Sequence, residues 1–403
     1  MNATFIATGS ELLDFKINKY TPLFSQKLNK LGIKLKYEIT SRDNLDDLIK
    51  SVNFAILNSD LIIICGGLGP TFDDHTRNVI SKITGKKLVF SKEIEKAFKK
   101  RYQKPLKPNI LDQCMILEDS KYIENTNGTA PGEIIEYDKK SIILLPGPQS
   151  EWEGMWKDIE KYLIKKINNP IITYRFKVAE IKEVELENLL NPVMKKFKLD
   201  YTILAGPNIC EFIIRGEKKN RDIVYRAKKE IEEILSEKLY GYDDDTLEKV
   251  IGNLLSIKGK TLSIAESCTG GLVSNLITNI PGSSRYYLGG INAYSNFIKR
   301  KILGVKENTL KKFGAVSPQT AKEMALNCKN IFNSDISISI TGIAGPDGGS
   351  KEKPVGLVYF AIAIGNKVKV EKRIFIKKDR IFIKTAAANT SLYLALNIIK
   401  SNK

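Results

Sequence analysis

Residues 261–280 read TLSIAESCTGGLVSNLITNI. The first five form a short apolar run that predicts a buried strand. Beyond the small-residue turn, Leu272, Val273, Leu276, Ile277 and Ile280 recur at helical spacing until Pro281 and Gly282 stop the run. A strand feeding a helix through a glycine turn is the unit of an α/β fold, and the turn leaves free N–H groups facing whatever lies above it. Two readings of its hydroxyls stand side by side. Ser267 or Thr269 caps the helix, or Ser267 is lifted out of the sheet to where a substrate reaches it.

The same grammar extends outward. Around this stretch, residues 246–403 carry a helix at 247–256, strands at 286–293, 336–340, 356–364 and 367–376, and a last helix at 380–400. Residues 1–170 alternate likewise, with strands at 4–7, 34–40, 61–65 and 141–145 and helices at 21–30 and 45–58. Near-continuous apolar strands such as LIIIC at 61–65 argue for a parallel sheet covered on both faces. In such a sheet ligands sit at the carboxyl ends of the strands, and three strands here end in glycine turns. Between them, 171–245 read strand, helix, strand, strand, helix, a small unit without clustered glycines or a reactive constellation. The expected architecture is therefore α/β: two three-layer α/β domains, 1–170 and 246–403, joined by a small α+β (β-α-β-β-α) domain, 171–245.

A chain of 403 residues is too long for one core, and 42% hydrophobic residues suit a folded protein. No run reaches membrane-spanning length and the start lacks a basic leader segment, so the expected address is the cytoplasm, away from membranes. Five dispersed cysteines suggest neither a disulfide framework nor a thiolate metal site. The net charge of +18 raises the question of nucleic acid, but only 11 of the 64 basic residues are arginine and the lysines are scattered over the whole length. Direct nucleic-acid binding is not expected. The sole histidine, His75, rules out a multi-histidine metal site and leaves lysine, tyrosine, serine or carboxylates for chemistry in the second half.

Three features of that half converge on one candidate site: the Ser267 turn, GGINAYSN at 289–296 followed by Lys299, and TGIAGP at 341–346 after a predicted strand. A serine hydroxyl is a poor nucleophile until a base removes its proton, and a desolvated, neutral lysine is such a base. Lys299 is the candidate, with Tyr294 as its proton-relaying partner. The plain alternative is a solvated helix lysine in the run Lys299, Arg300, Lys301. Cys268 is a rival nucleophile without an evident base.

These motifs resemble the competence/damage-inducible protein A (CinA) family over essentially the whole chain. The carriers are AESCTGG at 265–271, PGSS at 281–284, GGINAYSN with Lys299, GAVS at 314–317, TGIAGPDGG at 341–349 and KPVGLVY at 353–359. The resemblance implies a nicotinamide mononucleotide deamidase that needs no cofactor. Ser267 would be nucleophile, Lys299 base and Tyr294 its partner. Thr269, Gly270, Gly271, Thr341, Gly342 and Ala344 would bind substrate, and Arg380 would pair with the phosphate. Backbone N–H groups of residues 268–271 would stabilise the oxyanion.

The first domain resembles the molybdopterin-binding fold through GGLGPTFDD at 66–74, GTAPG at 128–132 and LPGP at 145–148 with Glu151. Gly66, Gly67, Gly69, Thr71, Gly128, Thr129, Pro146 and Gly147 would form its nucleotide site. Within the family it implies ADP-ribose pyrophosphatase activity, with a divalent cation (magnesium, manganese or cobalt class) held by Glu11, Asp73 and Asp74. By themselves, two adjacent acids after a glycine turn read equally as helix-start residues. The sequence departs from the family opening: Ser10 replaces an aspartate, Phe15 a glycine and Thr21 an asparagine, which takes a carboxylate away and adds a ring near the expected phosphates. The resemblance also implies a homodimer. Rival readings are a non-catalytic accessory of DNA uptake or repair and a molybdopterin-type ligand-binding protein.

Overall fold

The computed structural model describes residues 1–102, 106–167, 170–376 and 378–401. The chain divides into two compact units, Met1–Thr173 with Glu217–Lys219, and Tyr174–Gly216 with Asn220–Lys403. The expected boundary at 170/171 falls within three residues of this division, whereas that at 245/246 runs through the second unit.

The first unit is built on a six-stranded sheet in the order Lys34–Ser41, Asn2–Thr8, Leu61–Cys65, Lys140–Leu145, Gly132–Tyr137, Lys121–Ile123. Its strands alternate strictly between two apolar faces. Phe5, Ile63 and Ile143 pack against Phe24, Trp152 and Ile159 of the helices Tyr20–Lys30 and Gln149–Lys166. Ile6, Ile62 and Ile142 pack against Val52 and Val79 of Leu45–Asn58 and Thr76–Thr84. The three layers follow, because a strand apolar on both faces needs helices on both. The helix Leu45–Asn58 starts where Asn44 accepts a hydrogen bond from Asp47 N at 2.9 Å, with Asp46 and Asp47 in its first turn.

The strands expected at 4–7, 34–40, 61–65 and 141–145 run parallel as read, and two unforeseen strands extend the sheet. Gly132–Tyr137 runs antiparallel to Lys140–Leu145 and Lys121–Ile123 antiparallel to it in turn. The cause is a two-residue hairpin at Asp138 and Lys139, both at positive φ (46° and 62°). That twist matches the flanking strands, yet the turn lacks the Asn-Gly or Asp-Gly signal that reveals such hairpins in sequence.

The next sheet orders Asp200–Gly206, Ile209–Glu217, Ile171–Ala179, Leu239–Tyr242. Its last strand was not foreseen: the helix from Arg221 ends at Leu235, and a 3₁₀ turn leads into Leu239–Tyr242. Asn208 Nδ2 donates to Thr390 Oγ1 at 2.7 Å, Asn389 Nδ2 to Pro207 O at 2.9 Å, and Arg373 forks onto Glu180 at 2.7 and 2.8 Å.

The third sheet orders Tyr287–Asn292, Leu262–Glu266, Ile336–Gly342, Leu357–Ile364, Lys367–Ile374. The first three strands are parallel and the last two antiparallel. Ile264, Ile338 and Phe360 meet Leu255, Ile277 and Leu392 from helices on one face. On the other face Ala361 and Ala363 seat Ala321 and Ala325 of Pro318–Phe332, a helix capped by Ser317 with proline at its first turn. All three parallel strands deliver their carboxyl ends to one side, where residues 267, 293–299 and 341–345 follow.

Candidate active site

The turn after Leu262–Glu266 is fixed by a residue that sequence reasoning passed over. Glu266 is 1% exposed, and its carboxylate accepts from Gly271 N (3.0 Å), Val273 N (3.1 Å), Ser274 N (2.8 Å) and Ser274 Oγ (2.6 Å). It supplies the acceptors that the helix Leu272–Thr278 otherwise lacks at its start, and its charge sits at the favourable end of the helix dipole. The capping reading of Ser267 and Thr269 therefore falls away: the N-cap position is Gly271, without a side-chain cap, and Thr269 Oγ1 is buried with no partner among the described residues. Gly270 and Gly271 stand at φ 65° and 93°, where a side chain is strained. A signal was available in the strand-ending acid ahead of two glycines and a helix, a pattern that suits a carboxylate closing onto N–H groups.

Ser267, freed from capping, is anchored by its N–H on Ile340 O at 3.0 Å and turns its hydroxyl to Lys299. Lys299 Nζ lies 2.8 Å from Ser267 Oγ, 2.7 Å from Ala293 O and 3.2 Å from Tyr294 O. The helix Asn296–Lys301 starts at Ser295, whose hydroxyl accepts from Ile298 N at 3.2 Å, and its pitch points Lys299 inward and its neighbours outward. Lys299 is 1% exposed, so the solvated-lysine reading is overturned. Burial without a carboxylate partner pulls its amine down from 10.5 to about 8. Protonated, the amine donates to all three oxygens; losing one proton leaves it the arrangement of a base. A neutral amine has two N–H donors and one lone pair, and carbonyls only accept. Ala293 O and Tyr294 O take the two N–H bonds, leaving the lone pair to the hydroxyl of Ser267.

Tyr294 takes a different part from the one expected. It meets Lys299 through its carbonyl, while its phenol, 63% exposed, accepts from Arg380 Nη2 at 3.2 Å. The correction has a simple cause: the chain turns at Ser295 between the two residues, so their side chains diverge. Arg380 also donates to Gly345 O at 2.7 Å. Ser267, Lys299, Tyr294 and Arg380 line one cavity of about 160 Å³, whose wall includes Thr341, Gly342 and Ala344. Thr341 Oγ1 is turned away onto Ala315 O at 2.8 Å. Thr269, Gly270 and Gly271 form the turn beside this lining. Of the expected oxyanion donors, Gly270 N is spent on Ser267 O and Gly271 N on Glu266, which narrows the set to the N–H groups of Cys268 and Thr269. Cys268 is buried and its thiol pushed up to about 12, chiefly by desolvation, so it is inert as a nucleophile.

In the first unit a cavity of about 330 Å³ opens above the strand ends. Gly66, Gly67, Gly69, Thr129, Pro146 and Gly147 line it, together with Glu11, Asp73 and Asp74; Thr71 and Gly128 are not part of the lining. A side chain on Gly66 would stand 2.5 Å from Thr8 O, so only glycine fits where the two strand ends meet. Asp73 and Asp74 precede the helix Thr76–Thr84 instead of starting it, and Asp74 accepts from Thr71 N at 2.9 Å. Asp43, which was not foreseen, joins the lining and accepts from Ser10 N at 2.7 Å and Thr8 Oγ1 at 2.9 Å. Phe15 stands in solvent, 89% exposed, outside this lining. Oxygen donors suit a hard divalent cation. Among the described residues, however, no three His, Cys, Asp or Glu gather closely enough to hold one.

Among the described residues no helix is long and apolar enough to cross a membrane. Two family models match: the CinA C-terminal domain over residues 244–399 and the probable molybdopterin binding domain over 4–166. A CinA-like protein of Pseudothermotoga lettingae is 36% identical over 99% of both chains. A putative competence-damage inducible protein of Caldicellulosiruptor saccharolyticus is 41% identical over 97% of this chain and 98% of its own. The crystal structure of the competence/damage inducible protein CihA from Agrobacterium tumefaciens, 42% identical, covers 38% of this chain and 93% of its own with a TM-score of 0.37. On these full-length likenesses, the chain belongs to the CinA family.

Proposed function

We propose that the protein is a nicotinamide-nucleotide amidohydrolase, converting nicotinamide mononucleotide and water to nicotinic acid mononucleotide and ammonia. The observation that carries this reading is the buried Lys299 amine, 2.8 Å from Ser267 Oγ and held by two carbonyls. Ser267 Oγ attacks the carboxamide carbon as its proton passes to Lys299 Nζ. The tetrahedral oxyanion falls toward the N–H groups of Cys268 and Thr269. As the C–N bond breaks, Lys299 returns the proton to the departing nitrogen and ammonia leaves an acyl-serine. Water then attacks with Lys299 again as base, and Ser267 Oγ recovers its proton as the acid is released. No cofactor is needed.

The test is ammonia release from nicotinamide mononucleotide by the purified chain, with Ser267→Ala and Lys299→Ala compared. Turnover should vanish in both while circular dichroism stays native. Wild-type turnover in either variant would refute the dyad.

A second reading, cleavage of ADP-ribose with an added divalent cation, is proposed on the resemblance of the first unit; its cavity brings Glu11, Asp73 and Asp74 into one lining, but among the described residues no three such ligands stand close enough to hold the cation by themselves. AMP formation that a chelator and Asp73→Ala each abolish would establish it; absence of AMP with magnesium, manganese and cobalt would refute it. A homodimer is proposed on the resemblance and is checked by light scattering. The non-catalytic accessory of DNA uptake is the rival class, and salt-sensitive DNA binding without amidase activity would favour it.

A further inference from the structure

One wall of the Ser267 cavity is held in place from outside it. Ala315 and Val316 line the cavity together with Ser267 and Lys299, in the short link between the helices Glu307–Phe313 and Pro318–Phe332. Such a link has few backbone bonds of its own, and its carbonyls are taken up by side chains. Gly314 O accepts from Ser317 Oγ at 3.1 Å and from Thr320 Oγ1 at 2.8 Å, and Ala315 O accepts from Thr341 Oγ1 at 2.8 Å. A further tie crosses from a different segment: Lys353 Nζ donates to Phe313 O at 2.7 Å.

The local chain sets Lys353 up for this contact. Its N–H donates to Ser350 Oγ at 3.0 Å and Ser350 N donates to Lys353 O at 2.9 Å, which closes residues 350–353 into a turn ahead of Pro354. The ammonium stands 3.1 Å from where a Cβ on Gly314 would lie, and Gly314 is at φ 77°. A side chain there would be strained and would crowd the ammonium away from the carbonyl. Lys353 is half-buried, and among the described residues no carboxylate pairs with it. Its charge is spent on one carbonyl, a charge-assisted bond stronger than a neutral one.

The wall matters because of the amine it covers. Burial is what brings Lys299 down to about 8. The ionisable groups around it are Cys268, a protonated thiol, Arg380, and Tyr294, whose phenol faces Arg380. Glu266 is spent on Gly271, Val273 and Ser274. The lining holds no carboxylate, so exclusion of water governs the amine, and Ala315 and Val316 supply apolar surface for it.

We propose that Lys353 is a positioning residue for the amidase reaction: its bond to Phe313 O seats the Ala315–Val316 wall and so keeps water from Lys299. The reaction rests on the amidohydrolase reading; the wall does not. Lys353 is outside the cavity lining and acts only through the segment it holds.

The test compares Lys353→Met, which keeps the apolar stem and removes the donor, with Lys353→Arg, which keeps a donor. Both are read in the full-length chain. With saturating nicotinamide mononucleotide, Lys353→Met should lose roughly tenfold in kcat at pH 7 and match the wild type at pH 10, because readmitted water favours the charged amine. Lys353→Arg should follow the wild type throughout. An unchanged profile would overturn the proposal, and so would a loss by one factor at every pH, the mark of a merely structural defect. The second readout needs no substrate. In chain labelled with carbon-13 at lysine Cε, the Lys299 signal, assigned by its absence from Lys299→Met, should titrate at higher pH in Lys353→Met than in the wild type. Equal midpoints would overturn the proposal. A midpoint that moves, in a chain whose wild type releases no ammonia, would keep the wall and sink the amidohydrolase reading. Should Lys353→Met fail to fold, Thr341→Val removes the neighbouring tie to Ala315 O at nearly constant shape, and the same titration should move in the same direction.

Discussion

The pH dependence of turnover follows directly from where Lys299 sits. Its amine must be neutral to take the proton of Ser267, and burial brings it down to about 8 from 10.5. At pH 7 about 9% of the molecules then hold a neutral amine, against about 0.03% for an ordinary lysine, a gain of about 300-fold in active enzyme. The perturbation is pH, scanned from 6 to 10 with saturating nicotinamide mononucleotide, and the readout is kcat from ammonia release. Saturation matters, because the substrate phosphate itself titrates near pH 6 and would bend kcat/KM there. The expected kcat rises about tenfold per unit below pH 8 and levels off above it. A flat profile between 6 and 9 would refute the lysine base. So would a break at or above pH 10, which would show an amine that water still reaches.

Three further outcomes are expected. The same titration governs stability: between pH 8 and 10.5 the unfolded chain holds a proton on residue 299 that the folded chain has lost, so wild-type stability rises with pH in that window. Urea unfolding at pH 7 and 10 should therefore show the wild type gaining about 2–3 kcal/mol relative to Lys299→Met, and a constant difference would contradict the burial argument. Glu266→Ala leaves three N–H groups and the Ser274 hydroxyl without their acceptor in the interior, which should cost about 3–5 kcal/mol in chemical denaturation, while a cost under about 1 kcal/mol would show that the turn holds itself. Cys268→Ala should keep kcat within a few-fold, because the thiol is protonated throughout the working range; complete loss of activity would reinstate sulfur as the nucleophile.

The long, periodic elements were legible in the sequence because burial alone determines them. LIIIC at 61–65 is a strand over those same residues, and the helices at 45–58 and 247–258 begin at Asn44 and Thr246, whose caps are local chemistry. Ser267 and Lys299 were legible as a candidate pair from the converging motifs and the lack of a second histidine, and the family motifs favoured that pair over a solvated lysine. Spacing says nothing about which of Lys299, Arg300 and Lys301 turns inward, since a six-residue helix has no periodicity to read. Tyr294 shows the same limit within one residue: sequence brings it beside Lys299, but whether phenol or carbonyl makes the contact depends on the turn at Ser295. Glu266 was missed because a buried carboxylate satisfied wholly by backbone N–H groups leaves no charged partner in the sequence to betray it. The two antiparallel strands of the first sheet were missed, for want of a glycine at the Asp138–Lys139 hairpin.

The fork of Arg373 on Glu180, with the bonds of Asn208 and Asn389 beside it, bears on how the chain can be shortened. A gene product beginning at residue 246 would keep the serine and its lysine but sever these ties. It would leave the Arg373 guanidinium with Glu371 as its one remaining carboxylate among the described residues and uncover the apolar seat that Ala179 and Tyr240 fill against the last sheet and helix. One beginning ahead of Ile171 would carry its own lining with it.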